Sequence, residues 1–283
     1  MGNRKHLPNW DEDFDPPSKT MVEELSKPLK TWFSPKIYGL DKIQPERPAL
    51  YVSNHSVLGV TDGFFLGVEM YLQKDIMLRP LVDDLHNEVP FWRQLIRNVG
   101  MVPASRDRCG TLMQSGAHVL VFPGGRREVC KQKGEAYKLI WRNRTGFVHM
   151  AVEHGYDIIP VATIGAEELF DIMVDSQDIM RSPLGAWLHN TGIADRYFHG
   201  GENLPPIVKG LANTFLPRPE RHYIKIGDRI PTEQFEKKTD DKDLLMGIRK
   251  DVESSFDNLF DDLKAYRNND EDEEWWRWLL KKL

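Results

Sequence analysis

The chain lacks several features that would assign it to a function class directly. Only two of its 283 residues are cysteines, Cys109 and Cys130, and no Cys/His spacing typical of zinc sites accompanies them. No run approaches the ~18 consecutive apolar residues of a membrane-spanning helix, and the N-terminus has no apolar core typical of a secretion signal. There is no G-x-S-x-G element for a serine nucleophile. These absences predict a reduced, metal-free, cytoplasmic chain without a signal peptide or transmembrane helix.

An excess of positive charge is also missing. The formal net charge is -5, which excludes general nucleic-acid binding. Hydrophobic residues make up 40% of the chain, enough for the core of one large α/β domain, and the mean hydropathy of -0.50 suits a soluble or peripherally bound protein.

Short apolar strands alternate with helical segments along the middle of the chain. This order predicts an α/β fold with a mostly parallel central sheet flanked by helices. We expect one domain over residues 46–235, preceded by an arm and amphipathic helix (1–45) and followed by a helix and tail (236–283). The main expectations are buried strands at 49–53, 118–125 and 157–168, helices at 61–73, 137–155 and 236–267, a kink or break at Pro28, and irregular structure at 170–220.

The stretch "SNHSVLGVTD" carries the first chemical signal. An Asn-His pair follows the predicted strand, and Asp62 comes seven residues after His55. A histidine oriented by a carboxylate can take the proton of an attacking hydroxyl. On a continuous helix the two side chains would lie ~10.5 Å apart, so the pair requires a loop that folds back, which Gly59 would permit. Alternatively, Asp62 only caps a helix that begins at Gly63.

Arginines and glycines form the second signal. Arg106 follows the stretch "GMVPAS", and "FPGGRREV" places Arg126 and Arg127 after two glycines at a strand end. Guanidinium groups and glycine backbone N–H groups can bind phosphate. The alternative is a solvated basic patch, in which Glu128 pairs with one of these arginines.

Four blocks occur in a fixed order: "SNHSVLGVTD", "GMVPASRD", "FPGGRREV" and "IIPVATIG". Over residues 48–232 this order resembles the glycerolipid acyltransferase family. The family's first block has four residues between His and Asp, where this chain has six. Its third block is Phe-Pro-Glu-Gly-Thr-Arg, so Gly124 stands where the family has Glu. A Phe-Pro-Gly-Gly-x-x-Glu block is similar to the diacylglycerol-acyltransferase-like branch, which acylates neutral alcohols.

The resemblance implies transfer of a fatty acyl group from acyl-CoA or acyl-carrier protein to a hydroxyl of a glycerolipid or related lipid alcohol, with no further cofactor. It implies His55 as general base and Asp62 as the residue that orients it. The implied substrate- or phosphate-binding residues are Asn54, Arg106, Gly124, Gly125, Arg126, Arg127 and Glu128. Two alternatives remain: a catalytically decayed lipid-binding or membrane-tethering protein, and an acyl-thioester hydrolase.

The ending "DEDEEWWRWLLKKL" predicts a second functional element. Clustered indoles favour the headgroup region of a bilayer, and lysines favour anionic lipid. We therefore expect peripheral binding to the cytoplasmic face of a membrane. The alternative is a terminal helix that docks on the protein's own core or on a second subunit. The residues expected to contact the membrane are Trp275, Trp276, Trp278, Lys281 and Lys282.

Overall fold

A seven-stranded sheet forms the centre of the protein. The computed structural model describes residues 14–83, 94, 96–236, 238–272 and 274–280, with the backbone of Lys281. The strand order is β1-β9-β6-β2-β5-β3-β4, and every pair is parallel except β6 with β9. The strands are β1 (Lys36–Tyr38), β2 (Ala49–Ser53), β3 (Arg79–Val82), β4 (Val102–Pro103), β5 (Val119–Val121), β6 (Asp157–Ile164) and β9 (Tyr223–Ile226). The predicted fold class is confirmed.

Helices cover both faces of this sheet, and a second sheet pairs β7 (Asp171–Val174) with β8 (Ile207–Lys209). The α-helices of the described residues are α1 (Lys19–Phe33), α2 (Phe64–Lys74), α3 (Arg106–Gln114), α4 (Arg126–Val129), α5 (Gly146–His154), α6 (Ser176–Met180), α7 (Pro183–Asn190), α8 (Ile193–Phe198), α9 (Lys242–Asn268) and α10 (Trp275–Lys281).

The central strands are mostly apolar because both of their faces are buried. All five residues of β2 and all eight of β6 are buried, as expected for strands covered on two sides. One cluster of core side chains lies between the sheet and α5 and α9, and the other lies between the sheet and α1 and α2. The predicted strands at these positions are confirmed.

Helix α9 shows how its sequence pattern determines its packing. Asp241 caps its N-terminus by accepting the N–H of Leu244, and a stripe of apolar side chains faces the core while charged residues face solvent. This confirms the helix expected at 236–267. The buried stripe consists of Leu245, Ile248, Val252, Phe256, Leu259, Phe260 and Leu263.

The helix predicted over 137–155 is only half right. Helix α5 starts at Gly146, and Gly155 ends it in the left-handed conformation, as expected. Tyr137 and Arg142 have φ angles of +60° and +53°, which an α-helix does not allow. Trp141, packed at its edges against Phe147 and Phe256, holds this stretch to the core. Tertiary contacts therefore override the helical pattern of the sequence.

Two further expectations are wrong at least in part. Helix α1 continues through Pro28, so of the expected kink or break the break is absent; α1 packs on α2. Residues 170–220 are also not irregular, because they contain β7, β8 and three short helices. These elements are shorter than the window in which hydrophobic periodicity can be recognised.

Candidate active site

His55 and Asp62 form a direct hydrogen bond at the carboxyl end of β2, where open α/β sheets bind their ligands. The distance from His55 Nδ1 to Asp62 Oδ2 is 2.7 Å. Asp62 also accepts hydrogen bonds from the backbone N–H and the hydroxyl of Ser56, both at 2.7 Å. The Asp62 carboxylate is buried, whereas the His55 ring stays partly exposed.

A tight turn between the two residues makes this contact possible. Residues Val57–Gly59 form a 3₁₀ turn in which Leu58 and Gly59 have φ angles of +61° and +59°. The turn reverses the chain, so Asp62 returns to the imidazole despite the two additional residues. A Cβ on Gly59 would lie only 3.4 Å from His55 Nδ1. The alternative that Asp62 caps helix α2 is wrong, because Gly63 occupies the cap position and no side chain bonds there.

Electrostatics at Asp62 determine which ring nitrogen of His55 carries a proton. Burial acts to raise the pKa of Asp62, but the hydrogen bonds from His55 and Ser56 outweigh it and lower that pKa below its usual range. The ionised carboxylate binds Nδ1–H, which leaves Nε2 as a proton acceptor in the neutral ring. The Phe122 ring stacks on the imidazole at 4.0 Å and fixes its plane.

Buried side chains, rather than other backbone groups, hold the backbone around His55. Glu128 Oε2 accepts the N–H of His55 at 3.2 Å, and Lys131 Nζ donates to the His55 carbonyl at 2.7 Å. Glu167 accepts the N–H of Val57 at 3.3 Å. The residue that bears the imidazole is thus fixed on both sides by charged groups.

Lys131 and Glu167 form a buried ion pair next to this segment. Their side chains are only 1% and 3% exposed, and the Lys131 ammonium donates to the Glu167 carboxylate. Glu167 also accepts the N–H of Tyr137 at 3.2 Å. Burial raises the pKa of Glu167, and the positive charge of Lys131 opposes that rise. Each charge therefore depends on the other to remain buried.

The glycines after β5 form a turn that an arginine closes. Arg144 Nη1 donates to the carbonyls of Pro123 and Gly124, both at 2.8 Å. Gly125 has a φ of +51° and precedes α4, with Arg144 only 3.2 Å from where its Cβ would be. The carbonyls of this turn are thus bonded to a cation, and the turn lies beside Phe122 and the His55 ring.

Comparisons with known proteins agree with this geometry. The family model "Acyltransferase" matches residues 34–164, which include the His55 loop, the glycine turn and β6. Phytyl ester synthase 2, chloroplastic, of Arabidopsis thaliana is 30% identical over 246 residues, covering 83% of this chain and 35% of that protein. The "DGAT1/2-independent enzyme synthesizing storage lipids" of Bos taurus is 27% identical over 157 residues, covering 56% of this chain and 46% of that protein.

The chain is therefore similar to acyltransferases over residues 34–164. It spans about a third of the length of the phytyl ester synthases it matches. Among solved structures, the 1-acyl-sn-glycerophosphate (LPA) acyltransferase PlsC of Thermotoga maritima aligns with a TM-score of 0.47 at 15% identity, over 83% of this chain and 78% of that one.

The arginines expected to bind anions occupy three different environments in this chain. Arg127 is buried and donates to Glu135 at 2.6 Å and to the carbonyl of Cys130. Arg126 is partly exposed and bonds Asp83 at 2.8 Å. Arg106 is exposed at the first position of α3. Of the three, Arg106 is the most accessible to a ligand.

Asn54 and Glu128, both expected to contact substrate, are buried instead. The Asn54 amide bonds both the carbonyl and the N–H of Thr163, at 3.0 and 2.9 Å, and so ties the end of β2 to β6. The Glu128 carboxylate bonds the backbone N–H groups of His55 and Ile140. Both positions favour a structural role under the site over contact with a lipid.

The far end of the His55 loop is anchored by a buried histidine. The Thr61 hydroxyl bonds His222 Nε2 at 2.7 Å, and His222 Nδ1 donates to the carbonyl of Glu220 at 3.0 Å. Burial lowers the pKa of His222 to about 4, so the ring is neutral at physiological pH.

The C-terminal helix α10 is partly docked and partly exposed. Arg277 is buried and donates to the carbonyls of Thr31 and Trp32 at the end of α1, where a cation is also favoured by the helix dipole. The Trp276 ring lies 6.2 Å from that of Trp32. Trp275 and Trp278 remain exposed. Lys282 and the Lys281 side chain lie outside the described residues.

Sequence reasoning did not identify five residues that shape the site: Ser56, Phe122, Lys131, Arg144 and Glu167. Ser56 and Phe122 lie inside the recognised blocks, so proximity to the motif could have indicated them. A lysine or glutamate far along the chain carries no such signal, because charged residues are usually solvated.

Proposed function

We propose that the protein transfers a fatty acyl group from an acyl thioester, acyl-CoA or acyl-carrier protein, to the hydroxyl of a neutral lipid alcohol, with His55 as general base. One observation carries this proposal: the hydrogen bond between His55 and Asp62, which leaves Nε2 able to accept a proton. Similarity to the acyltransferase family model over residues 34–164 supports the reaction class.

The reaction uses the dyad twice. Nε2 of His55 takes the hydroxyl proton as the alcohol oxygen attacks the thioester carbonyl, and Asp62 stabilises the imidazolium that forms. The tetrahedral intermediate collapses with cleavage of the C–S bond. The departing thiolate takes the proton from Nε2, which restores the neutral ring, so no covalent acyl-enzyme is required.

The environment of the arginines favours an acceptor without a phosphate. Arg127 is buried against Glu135, and Arg126 bonds Asp83, so both guanidinium groups already have carboxylate partners. A diacylglycerol or a long-chain isoprenoid alcohol needs no such cation. The names of the two relatives, a phytyl ester synthase and an enzyme that synthesises storage lipids, point to acceptors of this kind. Exposed Arg106 remains available for the phosphates of the donor.

An acceptor panel tests the proposal. Purified protein is given labelled acyl-CoA or acyl-carrier protein together with phytol, mono- or diacylglycerol, or lysophosphatidate, and products are separated by head group. We expect ester formation on a neutral alcohol, and a loss of about 10²–10⁴-fold in His55→Ala. His189→Ala, an exposed histidine on α7, is the matched control. Equal rates in parent and His55→Ala would refute the base assignment, and a preference for lysophosphatidate would refute the neutral acceptor.

The same assay distinguishes the two alternatives. A hydrolase would release free fatty acid at the same rate with and without acceptor. A decayed lipid-binding protein would bind acyl-CoA or lipid but form no ester with any member of the panel. The ordered His55–Asp62 pair favours an active enzyme over the decayed protein, and the dependence on an acceptor separates transfer from hydrolysis.

We further propose that the protein binds a membrane peripherally through an apolar rim around the end of α1. Within the described residues no helix is long and apolar enough to cross a bilayer. Leu25, Leu29 and Trp32 follow one another at helical spacing on α1, and Trp32 bonds the carbonyl of Pro217 and contacts Trp276. These contacts bring three exposed segments together. The exposed members of the rim are Met21, Leu25, Leu29, Phe215, Leu216, Trp275, Trp278 and Leu279.

Liposome sedimentation tests the rim. The Trp275→Ala/Trp278→Ala protein should lose at least about tenfold in partitioning to anionic vesicles, because indoles are favoured at the headgroup interface. Trp187→Ala is the matched control, since Trp187 and Trp278 are 54% and 55% exposed but lie on different elements. Unchanged partitioning of the double variant would refute a bilayer contact and leave a protein partner for these indoles.

A further inference from the structure

Glu128 occupies an unusual position for a carboxylate at a substrate crevice. It is 0% exposed, and its two oxygens accept different backbone N–H groups: Oε2 accepts from His55 at 3.2 Å and Oε1 from Ile140 at 2.7 Å. Burial raises the pKa of Glu128, and the Lys131 charge and both N–H donors oppose this rise. Glu128 therefore joins the catalytic segment to the stretch after the glycine turn.

The Glu128 carboxyl group fills the space that a side chain at position 124 would occupy. A Cβ built on Gly124 would lie 2.1 Å from Glu128 Cδ and 2.2 Å from Oε2, distances that no pair of atoms tolerates. A side chain at 124 and the Glu128 carboxyl group therefore exclude each other. Gly124 is also the position at which the Phe-Pro-Glu-Gly-Thr-Arg block of related chains carries its glutamate.

We infer that Glu128 is a positioning residue for His55, and that Gly124 leaves free the space that the Glu128 carboxylate fills. The inference rests on the proposed role of His55 as general base. Glu128 does not touch the substrate. It fixes the backbone N–H of His55, and through it the direction in which Nε2 points. Gly124 is required because any side chain there would displace the carboxylate.

The geometry predicts how a conservative substitution acts. In Glu128→Gln the side chain keeps its shape, but its amide group can accept only one of the two N–H donors and turns an NH₂ towards the other. We expect kcat to fall about 10²-fold while KM changes less than about threefold, because a displaced base lowers the rate of the chemical step rather than substrate binding. Glu153→Gln, at an exposed carboxylate of α5, should retain parent kinetics.

A transposition of the carboxylate gives the sharper test. Glu128→Ala should lose at least about 10²-fold in kcat, and Gly124→Glu alone should be equally impaired by collision with Glu128. In the Glu128→Ala background, Gly124→Glu or Gly124→Asp returns a carboxylate to the same space. We expect the better of these double variants to recover at least about tenfold over Glu128→Ala. A folded double variant without recovery would overturn the inference, as would parent kcat in Glu128→Gln.

A readout independent of turnover separates this inference from the proposed function. The proton shared by His55 Nδ1 and Asp62 should give a downfield NMR signal that is absent from His55→Ala. We expect Glu128→Gln to shift or broaden this signal, and the better double variant to restore it. An unchanged signal in Glu128→Gln would overturn the positioning role even if the parent transfers no acyl group. Absence of transfer by the parent would refute the function alone.

Discussion

Replacement of Lys131 by methionine tests whether the buried ion pair beneath His55 serves catalysis. Methionine fills nearly the same volume but has no charge, so Glu167 would be left as an uncompensated carboxylate in a site that is 3% exposed. Removal of one partner of a buried pair costs about 3–5 kcal/mol of unfolding free energy. We expect Lys131→Met to lose an amount in this range in denaturant titrations followed by circular dichroism.

The double variant Lys131→Met/Glu167→Gln separates stability from activity. With both charges removed, the unfolding free energy should return to within about 1.5 kcal/mol of the parent, since a neutral pair of similar volume is commonly tolerated. The hydrogen bond from Lys131 to the His55 carbonyl is nevertheless still absent. We therefore expect kcat to remain about tenfold or more below the parent while stability recovers.

Two results would refute this reasoning. Parent kcat in the stable double variant would show that the Lys131 contact does not position His55. A loss of less than about 1 kcal/mol in Lys131→Met would show that Glu167 is solvated or protonated without its partner. Lys133→Met is the matched control, because that lysine pairs with Asp178 at the surface. It should leave kcat at the parent value and change the unfolding free energy by no more than a surface ion pair usually contributes.

Three further predictions concern the two ends of the His55 loop. His222 has a pKa of about 4 in the folded protein and ~6.5 when unfolded, so the unfolded chain binds a proton first as pH falls and stability decreases between 6.5 and 4. Between pH 7 and 5 the free energy of unfolding of His222→Asn should therefore fall by about 2 kcal/mol less than that of the parent. The other titrating groups are the same in both proteins and cancel in this comparison. An identical pH dependence of the two proteins would contradict the prediction. Gly59→Ala should lose about 1–3 kcal/mol of unfolding free energy because residue 59 has a positive φ. Its kcat should also fall, because the added methyl group lies against His55. A thermal melt and a kcat equal to those of the parent would contradict this prediction. Asp62→Asn should lower kcat about 10³–10⁴-fold by favouring the wrong tautomer of His55, as judged by single-turnover rates, and a loss below tenfold would argue against the dyad.

The central strands and the place of His55 could be predicted from the sequence because their signals are local. β2 and β6 consist mostly of apolar residues, which is the pattern expected of a strand buried on both faces. His55 directly follows β2, so the end of the strand also places the histidine at the ligand-binding edge of the sheet. The matching blocks then assign it to a reaction class.

Apart from Asp62, the charged side chains that hold the His55 segment could not be predicted, because burial of a charge leaves no mark in the sequence. Lys131 and Glu167 are separated by 36 residues and meet only when α4 packs beside the end of β6. Arg127 looks like a free anion binder but is satisfied by Glu135 eight residues later. In each case the tertiary contact, rather than the residue type, determines whether the charge is available to a ligand.

The spacing between His55 and Asp62 shows that the backbone conformation of the intervening residues, rather than their number, decides whether two motif residues meet. Six intervening residues would disconnect the pair on a helix, yet the left-handed residues Leu58 and Gly59 reverse the chain and bring the carboxylate to 2.7 Å. The N–H groups of His55, Ser56 and Val57 are each bound by a different carboxylate, and two of these come from elements far along the chain. Residues that follow β5 and β6 therefore hold the backbone on which the dyad is built. For this reason substitutions at Glu128 and Glu167 should also lower kcat, although less than Asp62→Asn does.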